Sequence, residues 1–327
     1  MRYVAPCARI AIIAILAAPH TVWSGQDAKA WLDKMADAVQ SLNYEGTFIY
    51  ARGDKMDTMH IVHGSDAQGI RERLTTLTGE KREVIRDRGV LTCVWPHKNA
   101  VTVEATRERE HGIPAVIPSR TQGLDEHYRL SVLGRGRIAG TVCRNLAIKP
   151  KDNLRYGHRL CVAEDSGMLL ASMMLDASGQ PIEKVMFTTL ELREQIPDAH
   201  FAPTMIEADQ VWYRAGPRQQ PFRLQPDPGW RVERKPPGFE VTSVSKRVIA
   251  ASPQPVQHMI LTDGLASVSI FITRPMELTA FFKGTTQSGA LNAFARNLNG
   301  YQITVVGEMP AETVRMIGQS MAYTPSE

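Results

Sequence analysis

The sequence predicts a mainly β chain with some α, built as a long antiparallel meander followed by a smaller α+β domain. Three observations carry this. Short runs rich in β-branched, aromatic and methionine side chains recur between residues 44 and 193, with Gly, Asp, Asn or Pro at nearly every junction. These runs do not alternate with helical patterns, as a parallel sheet would require. The composition then shifts at "GPRQQPFRLQPDPGWRVERKPPGF", residues 216–239, where prolines stiffen the chain and cannot donate to a ladder.

Residues 1–24 read as a cleaved export signal. Arg2 and Arg9 supply positive charge, and "IAIIAILAA" (Ile10 to Ala18) is far shorter than the ~20 apolar residues that span a bilayer. Val22 and Ser24 suit cleavage after Ser24, with Gly25 as the alternative. Cys7 precedes the apolar run, so it is not placed for lipid attachment. Removing this segment lowers the formal net charge from +4 to +2, which is too weak and scattered for nucleic acid.

"DAKAWLDKMADAVQSL" places Ala28, Trp31, Leu32, Met35, Ala36, Val39 and Leu42 near helical spacing, with Asp27 as its cap. Strands are expected near 44–52, 56–63, 68–76, 81–87, 90–96, 99–105, 128–133, 137–140, 142–149, 158–164, 169–176 and 182–193. "GRGRIAG" (Gly134 to Gly140) reads as a tight turn and not a nucleotide loop, because a strand follows it. "GIPAVIP" (Gly112 to Pro118) reads as a lid or a local helix. The mixed-charge run Arg71 to Gly89 reads first as solvated strand faces and second as an interaction surface. The domains are therefore 25–215 and 231–327, joined by a linker at 216–230. In the second domain, "FEVTSVSKRVI", "VQHMILTDG", "ASVSIFITR" and "YQITVVGEM" read as strands. "PAETVRMIGQSMAY" reads as a closing helix with Pro310 in its first turn.

Motifs for chemistry are scarce. His60 and His63 point to opposite faces of a strand, so they do not share a metal. There is no CxxC, metalloprotease helix or nucleophile elbow. No enzyme activity, metal or cofactor is expected. Three cysteines follow the signal. Cys143 and Cys161 flank a turn at "PKDN" and face each other if it centres on Asp152, so either they form a disulfide or all three are buried thiols.

The first hairpin, "YEGTFIYARGDKMDTMHIVHG", is apolar on both faces. Tyr44, Phe48 and Tyr50 share one face of its first strand, and Ile49 and Ala51 the other. Methionine also recurs through the strand series at Met56, Met59, Met168, Met173, Met174 and Met186. Two readings fit: core filling under the helix, or an apolar cavity in a curled sheet that takes an acyl chain or a peptide. The cavity reading draws on Phe48, Tyr50, Met59, Ile61, Leu74, Val94, Met173 and Met186.

"YEGTFIYARG", "RERLTTLTGEKREVIRDRGVLTCVWP", "YGHRLCVAEDSGMLLASMMLDASGQPIEKVMFTTL", "LTDGLASVSIFI" and "YQITVVGEMPAETVRMIGQSM" together resemble RseB/MucB proteins, in order and over nearly the whole mature chain. No one string is diagnostic, but the five in register are specific. The family pattern has an aromatic residue where this sequence has Cys161. The resemblance implies an N-terminal LolA-like open antiparallel half-barrel wrapped around helices, plus a smaller α+β C-terminal domain. It implies a periplasmic regulator that binds the periplasmic domain of a membrane anti-sigma factor of the RseA/MucA type. Bound, such a protein shields its partner from site-1 proteolysis and keeps the sigma-E (AlgU-type) factor sequestered. Lipopolysaccharide or another acyl-chain ligand is the releasing signal. Arg223, Trp230 and Arg231 are the expected partner-holding residues. The rival reading is a periplasmic lipid or lipoprotein carrier. The sequence leaves open whether the protein forms a homodimer.

Overall fold

A computed structural model of the chain describes residues 25–105, 121–214, 227–249, 252–274 and 283–324. The expected export signal, the "GIPAVIP" loop and Arg223 lie outside the described residues.

The N-terminal part opens with helix α1 (Gly25–Ser41) and then runs through strands β1 (Asn43–Arg52), β2 (Lys55–Asp66), β3 (Gly69–Thr76), β4 (Glu83–Asp87), β5 (Val90–Trp95) and β6 (Ala100–Ala105). A helical turn, α2 (Leu124–His127), leads into β7 (Tyr128–Ile138), β8 (Thr141–Pro150), β9 (Gly157–Ala163), β10 (Leu169–Leu175), β11 (Pro181–Arg193) and β12 (Val211–Arg214). These twelve strands form one sheet in the order β12-β6-β5-β4-β3-β2-β1-β11-β10-β9-β8-β7. Every pairing is antiparallel except β12 on β6, which is parallel.

A sheet this wide curls. Helix α1 packs on β2, β10 and β7, which lie far apart in the strand order, so the sheet bends round the helix. The helix buries Ala28, Leu32, Met35, Ala38 and Val39, one stripe at helical spacing, against Tyr44, Phe48, Ile61, Leu160 and Phe187. Ala38 is buried where the spacing favoured Ala36, which is half-buried. Asp27 lies inside the first turn, and its charge there favours the positive end of the helix dipole.

The expected strands at 128–133 and 137–140 are one strand, β7, with an irregularity between Val132 and Gly134. "GRGRI" therefore belongs to the strand, and the turn follows at Ala139 and Gly140, both at positive φ (47° and 79°). That is the backbone a two-residue hairpin loop demands. The β8–β9 hairpin centres one residue later than expected. Cys143 opposes Ala163 and Asn145 opposes Cys161, so the cysteines meet on a diagonal. They form a disulfide, with Cα atoms 5.5 Å apart.

The C-terminal part contains β13 (Trp230–Val232), β14 (Glu240–Ile249), β15 (Ser252–Thr262), β16 (Ser267–Thr273), β17 (Gly284–Ser288), β18 (Leu291–Leu298), β19 (Tyr301–Gly307), helix α3 (Ala311–Gln319) and β20 (Met321–Tyr323). Six strands form a sheet in the order β14-β15-β16-β19-β18-β17, and β13 pairs with β20. The closing helix is shorter than its pattern suggested. Pro310 stands at its N-cap, and Met321–Tyr323 leaves it to pair with Trp230–Val232. Trp230 is thus a strand residue, and not the end of a linker.

Replacing Cys143 and Cys161 together by Ser removes a cross-link over a short loop and is expected to lower unfolding stability by about 2–4 kcal/mol. Chemical denaturation with and without reductant checks this. An unchanged midpoint in the reduced wild type would refute it.

Candidate ligand and partner site

The inner wall of the curled sheet holds part of the expected cavity set. Phe48, Met59 and Ile61 are buried beneath α1, and Phe48 meets Phe187 with ring centroids 5.5 Å apart. They fill the core. Tyr50 and Leu74 pack at its margin. Past Leu74 the inner wall continues through Val84 and Cys93, all half-buried and in register with Ile61. Val84 and Cys93 were not expected there. Only the pairing register brings them into line with Leu74, and the sequence does not display that register.

Three members of the set lie elsewhere. Val94 is buried on the opposite face, packed with Ile85, Val101, Met205 and Ile206. It is in register with Glu83, one residue away from inward-facing Val84, so the pleat turns it outward. Met173 and Met186 are exposed on the outer face (37% and 41%). Val185 and Phe187 point inward, so Met186 between them must point out.

The mixed-charge run is also less wet than expected. Glu72, Glu83 and Arg86 are buried. Glu83 accepts hydrogen bonds from the Thr204 amide (2.8 Å), the Thr204 hydroxyl (2.9 Å) and the Met205 amide (3.2 Å) of a segment that crosses the outer face. On the inner side Glu72 lies 2.9 Å from His63 Nδ1 and 3.0 Å from Arg86 Nη1, and Tyr44 stacks on His63. Buried carboxylates persist here because each has charged or amide partners. His60 sits apart from His63, beside Glu45 (3.2 Å), and no set of metal-ligating side chains occurs among the described residues.

The two parts of the chain meet at a polar seam. Arg155, on the β8–β9 connection, has a fully buried side chain, as does Asp263, on the β15–β16 turn, and they pair at 2.5 Å. Tyr128 donates to the same Asp263 oxygen (2.8 Å), and Arg155 also donates to the Pro237 carbonyl (2.8 Å). The rings of Tyr128 and Phe239 flank the guanidinium. Nearby, Thr313 donates to the Leu154 carbonyl (2.9 Å), Asn292 to the Tyr156 hydroxyl (3.1 Å), and the Ala290 amide to Glu183 (3.0 Å). Burial and the neighbouring Glu183 raise the Glu308 pKa, partly offset by Arg52.

Beside these contacts lies a cavity of about 390 Å³, lined by Met174, Leu265 and Phe271 and by the polar side chains of His158, Ser269 and Glu308. His158 is buried, its Nδ1 has no hydrogen-bond partner, and burial lowers its pKa to about 4. A half-open cleft between domains with mixed polar and apolar lining suits a small amphipathic ligand.

The expected partner residues fare differently. Trp230 is buried in the C-terminal core against Tyr301 and Tyr323, so it presents no surface to a partner. Its β13 pairing with β20 turns the indole inward. Arg231 is exposed and donates to the Thr324 hydroxyl (2.9 Å).

Residues 27–205 match the MucB/RseB N-terminal domain, and residues 225–322 match the MucB/RseB C-terminal domain. The chain belongs to the MucB/RseB family. It is 30% identical over 312 residues to the sigma factor AlgU regulatory protein MucB of Pseudomonas aeruginosa, covering 94% of each chain. It is 23% identical over 295 residues to the sigma-E factor regulatory protein RseB of Escherichia coli, covering 90% of each. Among solved structures it resembles the complex of Pseudomonas aeruginosa MucA and MucB, with a TM-score of 0.69, 28% identity, and coverage of 92% of this chain and all of that one. A crystal structure of MucB gives a TM-score of 0.64 over 91% of this chain. These curated relatives are named as sigma factor regulatory proteins, and this chain matches the family over both of its domains.

Two consequences can be measured. Asp263→Ala strips Arg155 of its closest partner and is expected to cost about 3–5 kcal/mol, read as a lowered Tm and looser packing of the two parts in small-angle scattering. A cost below about 1 kcal/mol would refute the pairing as a structural tie. His158 gives the second. Its folded pKa is depressed, so the stability it contributes is full above about pH 6.5 and is lost as pH falls toward about 4, by up to about 3 kcal/mol. Glu308, whose pKa is raised, opposes this, since its protonation favours the folded form. His158→Leu should flatten the fall of Tm between those pH values. An unchanged slope would assign the effect to other groups.

Proposed function

We propose that this chain is an exported, non-enzymatic regulator that acts in the periplasm. There it holds the periplasmic part of a MucA-type anti-sigma factor, shields that partner from proteolysis, and keeps the stress sigma factor inactive. The reading rests chiefly on the likeness, across both parts of the chain, to MucB in a complex with MucA. Control follows from linkage: a lipid signal releases the partner only if it binds the partner-free form better than the bound form. In this reading the seam is the element that switches, because its contacts are directional. A lipid acyl chain entering the half-buried inner wall beyond Leu74, or the cavity beside His158, would shift how the two parts dock. Arg231 and Arg223 remain candidates for an acidic or polar partner segment, and Trp230 acts through packing.

The test is binding of the purified mature chain to the periplasmic segment of its anti-sigma factor, by calorimetry, with and without lipopolysaccharide. The expected outcome is tight binding that weakens at least tenfold with the lipid, a change of about 1.4 kcal/mol. Binding indifferent to lipid would remove the switch. Lipid binding without peptide binding would favour the carrier.

A further inference from the structure

The outer face of the N-terminal sheet carries a patch that the seam and the core do not use. Registers across β2, β1, β11, β10 and β9 set Met56, Lys184, Met173 and Arg159 in one row. Met186 and Ile49 stand beside them in the next row. On the other side, Lys149 and Arg129 continue the same face across β8 and β7. Met56 is 66% exposed, and the four cations and both other methionines are also exposed. No carboxylate shares these rows, and none of the four cations makes an ion pair among the described residues. Exposed cations without an ion pair occur elsewhere among the described residues, as at Lys55, Lys81 and Lys235, but those are scattered singly, whereas Arg193 is paired with Glu191. What sets this face apart is the grouping: four cations without an ion pair share it with three exposed methionines.

We propose that this face docks on an anionic phospholipid bilayer surface. The curl of the sheet makes its outer face a ridge, and β11 and β10, which bear Met186, Lys184 and Met173, lie near its middle. A ridge touches a plane first at its crest. The methionines enter the interfacial zone there, while the long stems of Lys184 and Arg159 lie along it with their charges at the phosphates. Each cation at an anionic surface multiplies affinity roughly fivefold. The broad, ungrooved spread of these side chains over several strands favours a surface over a peptide, which needs pockets for alternate side chains. This proposal is independent of the regulator reading, since no anti-sigma segment enters it.

Sedimentation of the mature chain with vesicles tests it. Vesicles of phosphatidylglycerol and phosphatidylethanolamine should bind the protein, and phosphatidylcholine vesicles should not. Added salt should weaken the binding. The K184S/R159S double variant should bind roughly twenty- to thirtyfold more weakly. The M173S/M186S variant should bind more weakly while keeping its salt dependence. All four side chains are exposed, so unchanged circular dichroism and Tm should accompany both variants. Equal binding to both vesicle types, or indifference to K184S/R159S, would overturn the proposal. So would capture by polyglutamate without vesicle binding, which would assign the face to an acidic protein segment.

Discussion

The pairing of Arg155 with Asp263 is the constraint on which the arrangement of the molecule turns. Each side chain is fully buried, and each comes from a different part of the chain. Neither charge is tolerable alone in that environment. Asp263 is further fixed by its own turn, where its second oxygen accepts from the amides of Leu265 (3.0 Å) and Ala266 (2.8 Å). Leu265, held in this way, packs against the core around α1. One carboxylate thus shapes a turn, satisfies an arginine and sets a leucine against a neighbouring core.

A second constraint is the curl of the sheet. Helix α1 presents a narrow apolar stripe, yet β2, β10 and β7 all reach it. The strands between must bend, and the pleat then separates an inner set led by Tyr44, Phe48 and Phe187 from an outer set led by Val94 and Met186. The apolar character of the first hairpin on both faces follows from this. Phe48 and Ile61 serve the core, while Val62 packs outside with Ile196 and Phe201. The outer face is covered over β2 to β5 by the segment after β11, whereas Met173 on β10 and Arg159 on β9 are exposed.

Most of the meander was legible in the sequence because strand period and turn chemistry are local. The eleven strands from β1 to β11 follow from alternation and from Gly, Asp and Pro at their ends. The helix follows from its stripe. What was not legible depended on pairing. The direction of Met173 and Val94 is set by partners across the sheet, and the burial of Glu83 by Thr204 and Met205, more than a hundred residues away. The parallel β12 and the pair β17–β18 have weak periodicity, with Thr285, Thr286 and Asn292 in place of a clear apolar alternation. Trp230 illustrates the limit well. A tryptophan next to arginines in a proline-rich stretch suggests an anchor for a partner, and only the β13–β20 ladder shows that its partners are Tyr301 and Tyr323. Arg155 has one local partner, Asp152 three residues earlier (3.1 Å), but the carboxylate that buries it, Asp263, lies on the other side of the seam.

The seam itself is closed mostly by hydrogen bonds and one ion pair, with a small apolar cluster of Tyr156, Met174 and Ala290. Groups of that kind are as well satisfied by water as by each other. The apolar surface that such a joint covers is limited to a few side chains, Leu265, Tyr156, Met174 and Ala290 among them. Its geometry is restored by directional contacts, not by area. Contacts of that kind specify one alignment of the two parts, because each donor and acceptor meets its partner in only one geometry.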